Sequence, residues 1–150
     1  MTGQLNLFKG PRQRGTQPPP PKEFASQCFI ADLLREFANP QWRWTAMPMG
    51  ELRDHAINPK TGKRFSPTGQ RLQRMGMTPG WPDFMFVGPQ RMMFWLELKR
   101  RGRGHFSDEQ IDIGAFLAAC GHAYLATSSV KDAVAELQAF GILPKGLEVQ

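Results

Sequence analysis

Cysteine, histidine and tyrosine are scarce in this chain, with two, three and one among 150 residues. Two cysteines cannot build a thiolate metal site. His55, His105 and His122 stand at no ligand-like spacing, which argues against a histidine-held metal. Cys28 and Cys120 both fall in helix-like apolar patterns, where free cysteine behaves as a small hydrophobe. A buried, reduced pair in a cytoplasmic protein is therefore expected rather than a single disulfide. No run approaches the roughly 18 consecutive apolar residues of a membrane span. The first residues also lack the apolar core of a signal peptide.

Acidic residues are missing from two whole stretches. Residues 1–22 hold Lys9, Arg12, Arg14 and Lys22 and no acid. Residues 58–75 hold Lys60, Lys63, Arg64, Arg71 and Arg74, again with no acid. Lys99, Arg100, Arg101 and Arg103 follow closely on one another, and Arg53 lies in a Gly50-Glu51-Leu52-Arg53 turn. From Phe106 onward the balance reverses, with six acids against Lys131 and Lys145. A net charge of +6 laid out so unevenly fits a polyanionic partner, with nucleic acid the first candidate.

What is present suits one α/β domain. Residues 1–22 are rich in proline, glutamine, glycine and basic side chains, with four consecutive prolines at 18–21, and are expected to form a basic, proline-rich arm that builds no core of its own. The domain itself is expected over 23–143, with 144–150 as a tail. Phe24, Cys28, Ala31, Leu34 and Phe37 recur at helical spacing, and Asn39-Pro40 stops that helix. Trp42 to Met47 reads as a strand. A long polar loop follows, in which Thr68 to Met75 makes a short helix. Ser107-Asp108-Glu109-Gln110 is a capping box opening a helix that Gly121 closes. Ala123 to Thr127 is a strand, and Ser129 caps a last helix ended by Gly141. The expected order is α-β-β-β-α-β-α, a mixed sheet flanked by helices on both faces.

The chemistry concentrates in two strands, Gly80 to Val87 and Met93 to Lys99, joined by Gly88-Pro89-Gln90-Arg91. Paired as a hairpin centred near Gln90, they set Asp83 directly opposite Glu97. Opposed residues have Cβ atoms about 4.5–5.5 Å apart. Lys99, two residues beyond Glu97, shares its face. Two carboxylates this close raise a pKa or recruit a cation. Hard cations such as Mg²⁺ favour one or two carboxylates, carbonyl oxygens and water. Both faces of the hairpin are apolar elsewhere, which predicts cover on both sides.

These residues resemble the VRR-NUC domain, the virus-type replication-repair nucleases of the PD-(D/E)XK superfamily. The likeness rests on Gly80-Trp81-Pro82-Asp83, Leu96-Glu97-Leu98-Lys99-Arg100, Ser107 with Gln110, and Gly121, and it runs from about Glu23 to Phe140. It implies a restriction-endonuclease-like core and hydrolysis of DNA phosphodiesters with Mg²⁺ or Mn²⁺. It also implies branched or structured DNA as substrate, a homodimer, no organic cofactor, and the cytoplasm of a bacterial or phage-infected cell. By the resemblance, Asp83, Glu97 and the Leu98 carbonyl are metal ligands. Lys99 orients or deprotonates the attacking water, and Gln110 supports the site from the next helix. A helix-one glutamate completes the acidic set; Glu23 matches it, with Glu51 as a rival. Arg53, Lys63, Arg64, Arg71, Arg74, Arg100, Arg101 and Arg103 are the candidate DNA contacts.

Two blander readings stand beside these. Gln110 is explained by capping alone, and the fold could bind nucleic acid without cleaving it. Trp42, Trp44 and Trp95 read as core, whereas Trp81, just before Pro82-Asp83, is the one candidate wedge against DNA.

Overall fold

The first helix, α1 (Glu23–Phe37), buries Ile30, Ala31, Leu33 and Leu34. This stripe is rotated away from Phe24 and Cys28, which are both exposed. The expected burial of the cysteines therefore does not hold. Both are free thiols on the surface: Cys28 lies off the Ile30–Leu34 side through which α1 docks, and Cys120 caps the C-terminus of the helix Asp108–Ala119. Residues 23–47, 56–100, 102 and 105–149 are described by the computed structural model. The 1–22 arm, Glu51, Arg53, Arg101 and Arg103 lie outside the described residues.

A four-stranded mixed sheet forms the centre, in the order β1 (Arg43–Ala46), β4 (Phe84–Val87), β5 (Met93–Leu98) and β6 (Ala123–Thr127). β1 pairs antiparallel with β4, β4 antiparallel with β5, and β5 parallel with β6. The β4–β5 register runs Phe84↔Leu96, Phe86↔Phe94 and Val87↔Met93, and the Gly88 N–H donates to the Met92 carbonyl at 2.9 Å. The hairpin is thus centred on Gln90 as its sequence suggests. Gln90 (φ 55) and Arg91 (φ 64) take the left-handed conformation that turns the chain. Gly88 is required there: a Cβ would stand 2.7 Å from the Trp42 indole.

One face of the sheet carries Phe84, Phe86, Phe94, Leu96 and Leu98, all buried. They pack with the α1 stripe and with Ala133, Val134 and Leu137 of α4 (Val130–Ala139). Each such side chain contributes on the order of 1.5–3 kcal/mol by leaving water. Residues 144–149, set off in the sequence as a tail, lay Leu147 and Val149 against this core. The opposite face belongs to α3 (Asp108–Ala119), where Gly114 lets the Tyr124 ring come close; a Cβ at Gly114 would sit 3.3 Å from it. That face is covered only in part. Trp95 is 4% exposed and Val87 42%, so the expected cover on this face is close at Trp95 and open at Val87.

The expected loop between β1 and β4 is structured where it is described. β2 (Ala56–Ile57) and β3 (Arg64–Phe65) form a separate two-stranded sheet, followed by α2 (Pro67–Arg74). No residue of α2 is buried. Among the described residues no helix is long and apolar enough to cross a membrane.

Candidate active site

The open end of the β4–β5 hairpin, away from the Gly88–Arg91 turn, gathers the polar groups. Continued past its last ladder pair, the register sets Asp83 opposite Glu97. The hydrogen-bonded pairs are Gly88/Met92 and every second pair from it, so Asp83/Glu97 is a non-hydrogen-bonded pair, the geometry that brings opposed side chains closest. Pro82 then faces Leu98. Proline has no N–H to give the Leu98 carbonyl, and the Leu98 N–H turns instead to Asp83 Oδ2 at 2.7 Å. One proline thus breaks the ladder where the resemblance wants a carbonyl ligand.

Glu97 is 2% exposed. Its Oε1 accepts from Lys99 Nζ at 2.7 Å and from Gln110 Nε2 at 2.5 Å. Lys99 Nζ also donates to Gln110 Oε1 at 2.6 Å. Gln110 at the same time completes the capping box: its Oε1 accepts from the Ser107 N–H, while Ser107 Oγ accepts from the Gln110 N–H. Gln110 therefore caps α3 and bridges Glu97 and Lys99 with the same amide. Gly80 seats this arrangement. At φ 95 it lies against the first turn of α3, where a Cβ would stand 2.5 Å from the Glu109 carbonyl oxygen.

Desolvation dominates the electrostatics. Burial, and next the charge of Glu97, push the Asp83 carboxyl up to about 7, with Glu23 adding to the rise and the Leu98 N–H opposing it. Burial also raises Glu97, opposed by its hydrogen bond and ion pair with Lys99; Glu23 again adds to the rise. Glu23 is thus close enough to act on both carboxylates. It stands on the α1 stripe of Ile30 and Leu34, seven and eleven residues before them, so the docking of that stripe carries it toward the sheet. Its rival Glu51 lies outside the described residues.

Two neighbours were not legible as site residues. Tyr124 stands beside Trp95 through the parallel β5–β6 register, and its hydroxyl is pushed up to about 12, first by burial and then by Glu97 and Asp83. The chain's one tyrosine sits on a recognisable strand, but only the pairing brings it here. Phe106 places its ring centroid 4.7 Å from Lys99 Nζ. Its place before the Ser107 cap suggests a hydrophobic staple, so the sequence points it elsewhere. Trp81, the candidate wedge, is half-buried; it packs on Trp95 at 5.2 Å between centroids and donates its N–H to Thr78 Oγ1.

Of the candidate DNA contacts, Lys63, Arg64, Arg71, Arg74 and Arg100 are all exposed. Arg53, Arg101 and Arg103 lie outside the described residues.

The donor set fits a hard divalent cation in kind. Two desolvated carboxylates and a carbonyl without a ladder donor would hold one, with water and substrate oxygens filling the rest of its shell. Among the described residues, no three of His, Cys, Asp and Glu close around a metal by themselves. No protein-family model, curated protein or solved structure matches this chain.

Proposed function

We propose that this protein is a divalent-metal-dependent DNA endonuclease with a restriction-endonuclease-like core, acting on branched or structured DNA as a homodimer. The observation that supports the reading best is the pairing of buried Glu97 and raised-pKa Asp83 beside Lys99 and Gln110. Opposed acids in so dry a place are costly unless a cation or proton sits with them. Asp83, Glu97 and the Leu98 carbonyl would hold Mg²⁺ or Mn²⁺, with Glu23 beside them. The bound ion supplies a Lewis acid for the phosphate and lowers the pKa of water.

The chain's own groups do the rest. Lys99 presents a compact positive charge to the attacking water and to the charge that builds on the phosphate oxygens. Gln110 fixes Lys99 and Glu97 to one another and to the helix behind. Water attacks phosphorus, the P–O bond to the leaving oxygen breaks, and a proton must reach that oxygen. Arg100 and the basic residues of 58–75 neutralise neighbouring phosphates.

A non-cleaving nucleic-acid-binding protein on the same scaffold is the second reading. It is favoured by one observation, that Glu97 Oε1 is already paired by both Lys99 and Gln110. A cleavage panel decides between them, with Mg²⁺ or Mn²⁺ on single-stranded, duplex, flap and four-way-junction DNA. The expected result is cleavage that vanishes in EDTA and in Asp83→Ala and Lys99→Ala, with DNA binding largely kept. Cleavage that persists in EDTA, or full activity in either variant, overturns the nuclease reading.

A further inference from the structure

The segment between β1 and β4 is hung from the site itself, because the Met47 N–H donates to the Asp83 carbonyl at 2.7 Å and ties its two ends together. Residues 56–82 carry Lys60, Lys63, Arg64, Arg71 and Arg74 and no acid. Their helix, α2, is held by its own ends. Ser66 Oγ accepts from the Gly69 N–H at 2.9 Å, and Pro67 occupies the first turn. Thr68, Gly69 and Leu72 are the half-buried side. The outer side presents Gln70, Arg71 and Arg74, which with Pro67 and Met75 line a shallow concavity.

We infer that α2 is a groove-reading helix, whose Gln70, Arg71 and Arg74 reach base edges in the major groove of duplex DNA. The inference deepens the nuclease reading above and rests on it for the choice of DNA. A helix exposed along its outer side and anchored by its caps has the shape a B-form major groove admits, and arginine and glutamine are the residues that read guanine and adenine there in bidentate fashion. Lys60, Lys63 and Arg64, on the adjoining β2–β3 hairpin, are placed to hold phosphates and fix the register. Single-strand binding would call for exposed aromatic platforms. Within residues 56–82, Phe65 is half-buried and Trp81 is packed on Trp95. A-form RNA has a major groove too deep and narrow for such a helix.

The test is selection of the intact protein on a random duplex DNA pool in chelator, where no cleavage enters. It is followed by anisotropy on an enriched duplex, a scrambled duplex, the single strand and the RNA duplex of the same sequence. A short preferred sequence should emerge, bound about tenfold more tightly than the scrambled duplex. Arg74→Lys, which keeps the charge and loses the planar fork, should bring that ratio close to one while changing scrambled-duplex affinity by less than about threefold. Lys60→Ala with Lys63→Ala should weaken both duplexes alike and shallow the salt slope by about two. Failure to enrich any sequence overturns the inference. So does a preference untouched by Arg74→Lys, or equal affinity for the single strand or the RNA duplex. A sequence preference with no cleavage in the metal panel would remove the nuclease reading alone; cleavage without preference would remove this one alone.

Discussion

Gln110 and Glu97 meet through a 2.5 Å hydrogen bond, Nε2 to Oε1, while the other end of the same amide accepts from Lys99 at 2.6 Å. A single side chain therefore locks a carboxylate and an ammonium that are two residues apart on a neighbouring strand. It does so from the third position of a helix it also caps.

That double duty can be separated by substitution. Gln110→Glu keeps an acceptor for the Ser107 N–H, so the cap survives, but it removes the donor to Glu97 and sets a carboxylate against it. Cleavage should fall by about tenfold or more, with the thermal midpoint lowered only modestly. Gln110→Ala should lose activity and also about 1 kcal/mol of cap stability. Equal activity in wild type and Gln110→Glu would reduce Gln110 to a cap.

Asp83 governs a pH effect on the fold. Its carboxyl lies at about 7 in the folded protein against 3.8 as a free group. The native state thus holds a proton the unfolded state has lost, and stability falls as pH rises between those values. Glu97, also raised, adds in the same direction. In chelator, the protein should be less stable at pH 8 than at pH 5, by on the order of 2 kcal/mol. Asp83→Asn should flatten most of this slope and raise stability at pH 8. Denaturant midpoints across pH provide the measurement, and a flat wild-type profile refutes the burial of Asp83.

Gly80→Ala is expected to damage the site from outside it. The φ of 95 disfavours any side chain, and the new Cβ would meet the Glu109 carbonyl at 2.5 Å. The turn leading into β4 and α3 must part, so the variant should lose roughly 2 kcal/mol of stability. It should also lose activity beyond what unfolding explains, because Asp83 and Gln110 sit on the two parted elements. Chemical denaturation together with kcat on the folded fraction checks both halves. A stable, fully active variant would mean the contact positions nothing.

How far the sequence reached differs by element. The β4–β5 register was legible because strand periodicity and the turn at Gly88–Arg91 leave one pairing that buries Phe84, Phe86, Phe94 and Leu96 together. The Ser107 and Ser129 caps were legible because capping is a local bargain between a hydroxyl and an amide three residues on. The cysteines were misplaced for the opposite reason. An apolar pattern shows that a helix has a buried side, but the side is chosen by what docks on it.

By itself, then, the sequence determined the strands and helices of the core, the opposition of Asp83 to Glu97, and the acid-free charge of residues 58–75. Each follows from short-range periodicity, from symmetry about one turn, or from composition. Only the tertiary structure decided that β6 lies parallel to β5, bringing Tyr124 beside the acids, that Phe106 covers Lys99, and that α1 delivers Glu23 to the pair. These contacts join residues far apart in the chain, and no local pattern carries their register.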